Sequence, residues 1–182
     1  MSRATLNTKY ALLIFALLIT ALILYLNPIG FLSEEKNFRA YGYGAAFLIM
    51  LLSNATVILP VPGLFGVFVL GRYLDPLILG VVAGTGAALG ELSGYIFGYG
   101  GSALLEDRKL KTYERVKKWM ERNGFLTVFV FALIPNPLFD LAGIAAGALE
   151  YRWWKFLLAA ALGKILQSIA LAYLGSATVF VF

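Results

Sequence analysis

The chain has 182 residues, of which 60% are hydrophobic and 14% are charged, with a formal net charge of +5. Because this composition is too apolar for a soluble domain of this length, we predict an all-α integral membrane protein. At about 20 residues per crossing, the length allows one bundle of roughly four to six membrane segments. The sequence contains no Cys and no His, which excludes disulfides, Cys/His metal sites and Ser-His-Asp hydrolases. We therefore expect no enzymatic activity, no metal and no cofactor.

The first 42 residues are predicted to form an N-terminal transmembrane helix and a polar connector. Residues 10–26 are an uncharged apolar run. A retained helix is favoured over a signal peptide because the run is long for an h-region and no small-x-small cleavage site follows it. The charged stretch 33–39 is predicted to be a separate polar or interfacial segment.

Residues 43–100 form the first half of a predicted domain over 43–182. The apolar stretch from Tyr43 to Leu59 is interrupted by Pro60, Pro62 and Gly63. Proline removes a backbone donor and clashes with the preceding turn, so these residues predict a broken helix or helical hairpin. Pro76 suits the first turn of the next helix, which is expected to run to about Tyr99.

This next helix carries a glycine at every fourth position, which permits close contact with a neighbouring helix. The stripe consists of Gly86, Gly90, Gly94 and Gly98. The pattern leaves open whether the contacts lie within one chain or between chains, as in a homo-oligomer.

Residues 106–122 are strongly charged and have an apolar edge at helical spacing, which predicts an amphipathic helix at the membrane interface. The basic residues beside membrane segments fit anionic headgroups, so we expect no nucleic-acid partner. The second half of the domain spans about 124–176. Its apolar stretch 125–134 is broken by Pro135 and Pro137, a short helix resumes over 141–149, and a long final segment covers 153–174.

The two halves share landmarks. Pro60 and Pro62 precede Pro135 and Pro137 by 75 residues, and Gly90-Glu91 precedes Gly163-Lys164 by 73. If both breaks are re-entrant hairpins and the N-terminus is cytoplasmic, most Lys and Arg residues, including those of loop 101–123, lie inside, as the positive-inside rule requires. The two halves are then inverted relative to each other, a recurrent plan of transporters.

Three charges lie inside apolar stretches, where each costs about 2.5–3.5 kcal/mol near the membrane centre and so should face protein or water. They are Glu91, Asp140 and Lys164. One interpretation is a polar path, also lined by Asn136 and Asn54, for a lipid headgroup or a coupling proton. The other is structural, with Glu91 paired to Lys164 and Asp140 capping the short helix that follows.

Three motifs resemble the VTT-domain superfamily, also called SNARE-associated or DedA-like membrane proteins, and most closely its eukaryotic vacuole membrane protein branch. They are Gly90-Glu91-Leu92-Ser93-Gly94-Tyr95, the stretch from Pro135 through Asp140 to Ile144, and Gly163-Lys164. The resemblance covers about residues 43–175. It implies two facing re-entrant hairpins packed with transmembrane helices, and movement of phospholipids between leaflets.

The bacterial DedA branch places arginines near the positions that Ala132 and Pro137 occupy in this chain. Their absence favours an energy-independent scramblase of glycerophospholipids over a proton-coupled flippase of an anionic lipid or a small-solute transporter. The small size favours a prokaryotic inner-membrane protein. An intramembrane aspartyl protease is disfavoured because the Gly-x-Gly-Asp pattern is absent.

Overall fold

A computed structural model describes residues 35–55, 63–106, 111–135 and 138–178. The chain divides into two compact units, residues 1–41 and 42–182. The described residues are all-helical, and their helices are α1 (Glu35–Ala55), α2 (Gly63–Leu70), α3 (Pro76–Gly90), α4 (Leu92–Glu106), α5 (Lys111–Leu133), α6 (Leu138–Ala148) and α7 (Trp153–Ala177). The predicted helix over 10–26 lies outside these residues, as do Pro60, Pro62, Asn136 and Pro137.

Several helix boundaries differ from the sequence-based expectation. Helix α5 begins at Lys111 instead of Glu106, α6 covers Leu138–Ala148 instead of 141–149, and α7 ends at Ala177 instead of Leu174. Helix α1 begins at Glu35, so most of the stretch predicted as a separate polar segment is the first part of this helix. Glu, Lys and Arg are good helix formers, and no proline interrupts the sequence between this stretch and the apolar residues that follow. Helix α4 continues to Glu106 instead of ending near Tyr99, because Gly100 and Gly101 weaken a helix without stopping it.

The chain reverses direction between α1 and α2. Gly63, at the start of α2, lies against Met50 and Ser53 near the end of α1. At the far end of α2, Leu74 packs over Gly42. These contacts place α2 antiparallel to α1, as in a helical hairpin.

A second hairpin follows the same plan. Asn123 has non-helical dihedrals (φ −155°, ψ 85°) and divides α5 into a charged part and an apolar part. Its side chain accepts a hydrogen bond from the Leu126 N–H at 3.1 Å, which caps the apolar part. Helix α6 packs against α5, and the Tyr151 ring after α6 lies over Gly124. The chain has therefore returned to the start of the apolar part of α5.

The long helices of the two halves, α3 and α7, cross antiparallel with their backbones in contact. Helix α3 begins as expected, with Pro76 in its first turn and Asp75 accepting from the Ile78 N–H at 2.9 Å. Gly80 lies on Ile169 and Gly84 lies on Ile165. Because the residue number rises along α3 while that of its contact on α7 falls, the two helices are antiparallel.

Each short helix packs on the long helical segment of the other half. Helix α2 lies along α7, with Phe68 against Gly175. Helix α6 lies along α4, with Ile144 against Gly98 and Tyr95 against Gly147. Each half thus contributes its short helix to the packing of the other half.

The outward surface is apolar. Two helical stretches, Pro76–Gly100 and Trp153–Ala177, are long and apolar enough to cross a membrane. Large apolar side chains are exposed on several helices, among them Leu48, Phe65, Ile96, Leu158 and Leu166. Water would disfavour so much exposed apolar surface, whereas lipid tails would not.

Candidate functional site

A buried ion pair joins the two halves. The Lys164 Nζ lies 2.7 Å from the Glu91 Oε1, and the two residues are 9% and 4% exposed. Glu91 occupies the single position between α3 and α4, where its N–H still donates to the Ala87 carbonyl at 3.1 Å. The helix is therefore continued through Glu91, and the carboxylate projects from the middle of a membrane-length segment.

Lys164 has two further partners from opposite hairpins. Its ammonium donates to the Asn54 Oδ1 at 2.8 Å, and the Asn54 amide group donates in turn to the Met50 carbonyl at 2.7 Å. Lys164 Nζ also lies 4.6 Å from the centre of the Phe139 ring. An ammonium has three donors, and here the carboxylate, the amide and the ring face occupy them.

Glu91 and Lys164 have matching surroundings in the two halves of the domain. Each follows a glycine that lies against the last turn of the first hairpin helix of its own half. Gly90 lies on the Leu51 carbonyl and the Ala55 N–H, and Gly163 lies on the Phe129 carbonyl and the Leu133 N–H. The carboxylate of one half thus meets the ammonium of the other beside the ends of α1 and α5.

The third predicted charge, Asp140, lies in the first turn of α6 and is half-buried. It interacts electrostatically with Lys164 and with Glu91. Among the described residues it has no hydrogen bond or ion pair. Glu91 is thus the carboxylate of this cluster that is ion-paired with Lys164.

The cluster brings together Glu91, Asp140, Lys164 and Asn54, which we call the charged junction. Asn54 is the penultimate residue of α1, and Phe139 is the second residue of α6, so the flanks of both proline breaks meet here. Gly63 is buried at the start of α2, whereas Pro135 is exposed just after α5. Asn136, Pro60, Pro62 and Pro137 lie outside the described residues.

Two polar residues that follow Lys164 on α7 were not singled out in the sequence. Gln167 Oε1 and Ser168 Oγ are buried without a hydrogen-bond partner among the described residues. Gln167 and Ser168 are 5% and 0% exposed. They follow Lys164 at i+3 and i+4, a spacing that places them beside it on one face of α7 and could have identified them.

The glycine stripe serves contacts within this chain at three of its four positions. A methyl group at Gly86, Gly90 or Gly98 would collide with a backbone carbonyl of a neighbouring helix. One at Gly94 would meet no atom within 4 Å. A methyl group at Gly143 on α6 would lie at ordinary contact distance, 3.8 Å, from the Gly94 carbonyl carbon.

The described helices and the charged junction define a class, a helical membrane protein with a buried polar centre. A family model described as the VTT domain matches residues 57–177. The chain belongs to the VTT domain family.

Curated relatives at moderate identity carry vacuole membrane protein names. The chain is similar to vacuole membrane protein KMS2 of Arabidopsis thaliana, with 35% identity over 46% of this chain and 24% of that protein. It is also similar to the vacuole membrane protein 1 homolog of Dictyostelium discoideum, with 34% identity over 44% of this chain and 26% of the relative.

A shorter match to human vacuole membrane protein 1 has 45% identity over 27% of this chain and 12% of that protein. The matched regions span about a quarter or less of these relatives. No solved structure matches the chain.

Proposed function

We propose that this chain moves lipids between the two leaflets of its membrane, most specifically by scrambling glycerophospholipids without an energy source. The observation that carries the proposal is the charged junction, where the flanks of both proline breaks meet in the middle of the long helices. Broken segments that face each other around buried polar groups are typical of membrane transport sites.

The proposal includes the placement of the chain in the membrane. The two hairpins enter from opposite sides as re-entrant segments and form an inverted repeat. The reversals after α1 and after the apolar part of α5 support this arrangement, as does the exchange of short helices between the halves. The N-terminus and residues 101–123, which include the end of α4 and the charged part of α5, are cytoplasmic, and the membrane is a prokaryotic inner membrane.

A lipid headgroup needs polar partners along its route because it leaves water when it crosses the apolar core. Asp140 offers a carboxylate without a hydrogen bond or ion pair among the described residues, and Gln167 and Ser168 offer unpartnered oxygens one turn beyond Lys164. Asn136 belongs to the proposed route by its place in the sequence. The acyl chains stay against the apolar outer faces of the helices while the headgroup slides past these groups.

The charged junction also explains why passive exchange is proposed. Lys164 has its three donors occupied by Glu91, Asn54 and the Phe139 ring. A phosphate would have to break this ion pair in order to bind the ammonium. Weak, transient contacts to the unpartnered oxygens fit downhill exchange better than tight phosphate binding does.

Reconstitution into liposomes tests the proposal. Vesicles contain a fluorescent phospholipid in both leaflets, and a membrane-impermeant reductant bleaches the outer leaflet. We expect the protein to make inner-leaflet fluorophores accessible, while protein-free vesicles retain them. Retention by vesicles that hold correctly folded protein would refute lipid scrambling.

The second candidate is a proton-coupled flippase of an anionic lipid, for which the buried carboxylate of Glu91 and the half-buried carboxylate of Asp140 provide protonation sites. The same vesicles distinguish the two functions. Scrambling is expected to continue at an unchanged rate when a protonophore removes an imposed pH gradient. A rate that falls to the protein-free level with the protonophore would assign the coupled function instead.

A further inference from the structure

The bend of α5 at Asn123 borders an open surface cavity that no step of the proposed lipid route uses. It has a volume of about 390 Å³ and is lined by Trp119, Arg122, Asn123, Leu126 and Thr127. The Thr127 hydroxyl spans the bend, within 2.8 Å of the Asn123 carbonyl and 3.1 Å of the Trp119 carbonyl. These contacts hold the two parts of α5 at a fixed angle, so the cavity is part of the fold. We call it the elbow cavity.

The lining of the elbow cavity is basic. Arg122 is exposed and forms no ion pair or hydrogen bond with the described residues. The carbonyl oxygen of the Asn123 side chain accepts from Leu126, which leaves its N–H₂ group as a donor. The described lining of the cavity contains no carboxylate. The cavity thus presents donors and one positive charge, which suits an anion.

The charges of this part of α5 are separated by side. One flank of the helix, next to Trp119, carries the basic residues Arg115, Lys118 and Arg122. Their spacing of i, i+3 and i+7 places them on the same side of a helix. Glu114, Lys117 and Glu121 follow the other flank at the same spacing. The basic flank therefore leads toward the elbow cavity, whose described lining contains Arg122 and neither Glu114 nor Glu121.

The elbow cavity also lies where the surface changes from charged to apolar. Trp119 is 49% exposed before the bend, and Phe125 and Leu126 are 39% and 53% exposed after it. Indole side chains favour the headgroup level of a bilayer, and exposed apolar side chains favour its interior. In a membrane protein this places Arg122 at the depth of the lipid phosphates.

We propose that the elbow cavity binds the headgroup of an anionic glycerophospholipid. Arg122 and the Asn123 amide donate to the phosphate, Trp119 packs against the glycerol region, and the acyl chains run along Leu126. A zwitterionic headgroup is disfavoured because its cation would meet Arg122 and no carboxylate. The site does not depend on the proposed scrambling function, because a lipid can be bound there even if the protein moves no lipid between the leaflets.

Tryptophan quenching tests this site in the intact protein. The chain has three tryptophans, so W153F with W154F leaves Trp119 as the only one. The protein is placed in phosphatidylcholine vesicles that contain brominated phosphatidylglycerol or, in a parallel set, brominated phosphatidylcholine. We expect phosphatidylglycerol to be preferred by about fivefold, which is the effect of about one basic residue near an anionic lipid.

Two variants separate a specific site from general attraction. In R122Q the preference should fall to near one, and in K117Q, which removes the same charge from the opposite flank of the same helix, it should stay near fivefold. Equal quenching by both lipids would refute the site. Equal losses in R122Q and K117Q would show general attraction by the helix and refute it as well.

A final arm distinguishes a lipid from a free anion. Inorganic phosphate is added at an ionic strength matched with NaCl. Because the lipid is also held by its acyl chains, we expect phosphate to leave the quenching unchanged relative to NaCl. Recovery of Trp119 fluorescence with phosphate alone would mean that the cavity takes a free anion, and the lipid assignment would be wrong.

Discussion

Replacement of Glu91 by Gln should lower the free energy of unfolding by about 3–5 kcal/mol. The change leaves the Lys164 ammonium buried without its carboxylate, and loss of one partner of a buried ion pair is destabilising by this amount. Gln is nearly isosteric with Glu, so the loss comes from the charge and not from packing. Asn54 and Phe139 still contact Lys164 but cannot neutralise it.

The double variant Glu91→Gln/Lys164→Gln provides the matched control. It removes both charges, so no uncompensated ion remains, and two amides can hydrogen-bond to each other. We therefore expect the double variant to be more stable than Glu91→Gln alone. The free energies of unfolding are measured by denaturing-detergent titration in mixed micelles. Additive losses, with the double variant less stable than either single variant, would contradict the ion pair.

Replacement of Gly84 by Ala should destabilise the contact between the two long helices by about 3 kcal/mol, the upper end of the range for overpacked interiors. The new methyl group would meet the backbone of Ile165 and the Lys164 carbonyl. Backbone atoms cannot rotate away as a side chain can, so α3 and α7 must separate. Since Lys164 belongs to α7, this separation also disturbs the charged junction.

Gly44 is the control for this change. A methyl group there would meet no atom within 4 Å, and Gly44 lies inside α1. Gly44→Ala should therefore leave stability unchanged or raise it by up to about 1 kcal/mol through helix propensity. The same mixed-micelle titration measures both variants. A Gly84→Ala protein as stable as Gly44→Ala would show that the two backbones are not in contact.

Much of the local structure could be predicted because backbone chemistry decides it. Pro76 after Asp75 starts α3 as expected, and Asn123 before Gly124 divides α5 as expected. Proline lacks a donor, and Asn can cap the following turn, so these effects depend on neighbours in sequence only. The end of α4 was less predictable because Gly100 and Gly101 lower helix propensity without removing a donor.

The partners within the charged junction could be predicted only in part. Glu91 and Lys164 were identified as buried charges from their surroundings in sequence, with pairing as one of two interpretations. The hydrogen bond from Lys164 to Asn54 joins residues 110 positions apart, and nothing local indicates it. Gln167 and Ser168 could not be identified in this way. Uncharged polar residues are common in membrane helices because burying them costs little free energy, so their presence alone does not indicate a site.

The central claim is that lipid exchange passes the charged junction, and Asp140→Asn tests it most directly. Asn is isosteric with Asp, and Asp140 has no ion pair among the described residues, so the fold should be retained. The control variant is Asp75→Asn, which removes the same charge at the exposed start of α3. Asn can still accept the capping hydrogen bond from the Ile78 N–H. In the liposome assay, the account predicts that Asp140→Asn lowers the exchange rate about tenfold, a barrier increase of about 1.4 kcal/mol, while Asp75→Asn leaves it unchanged. Equal exchange rates for the two variants would contradict a route through the charged junction.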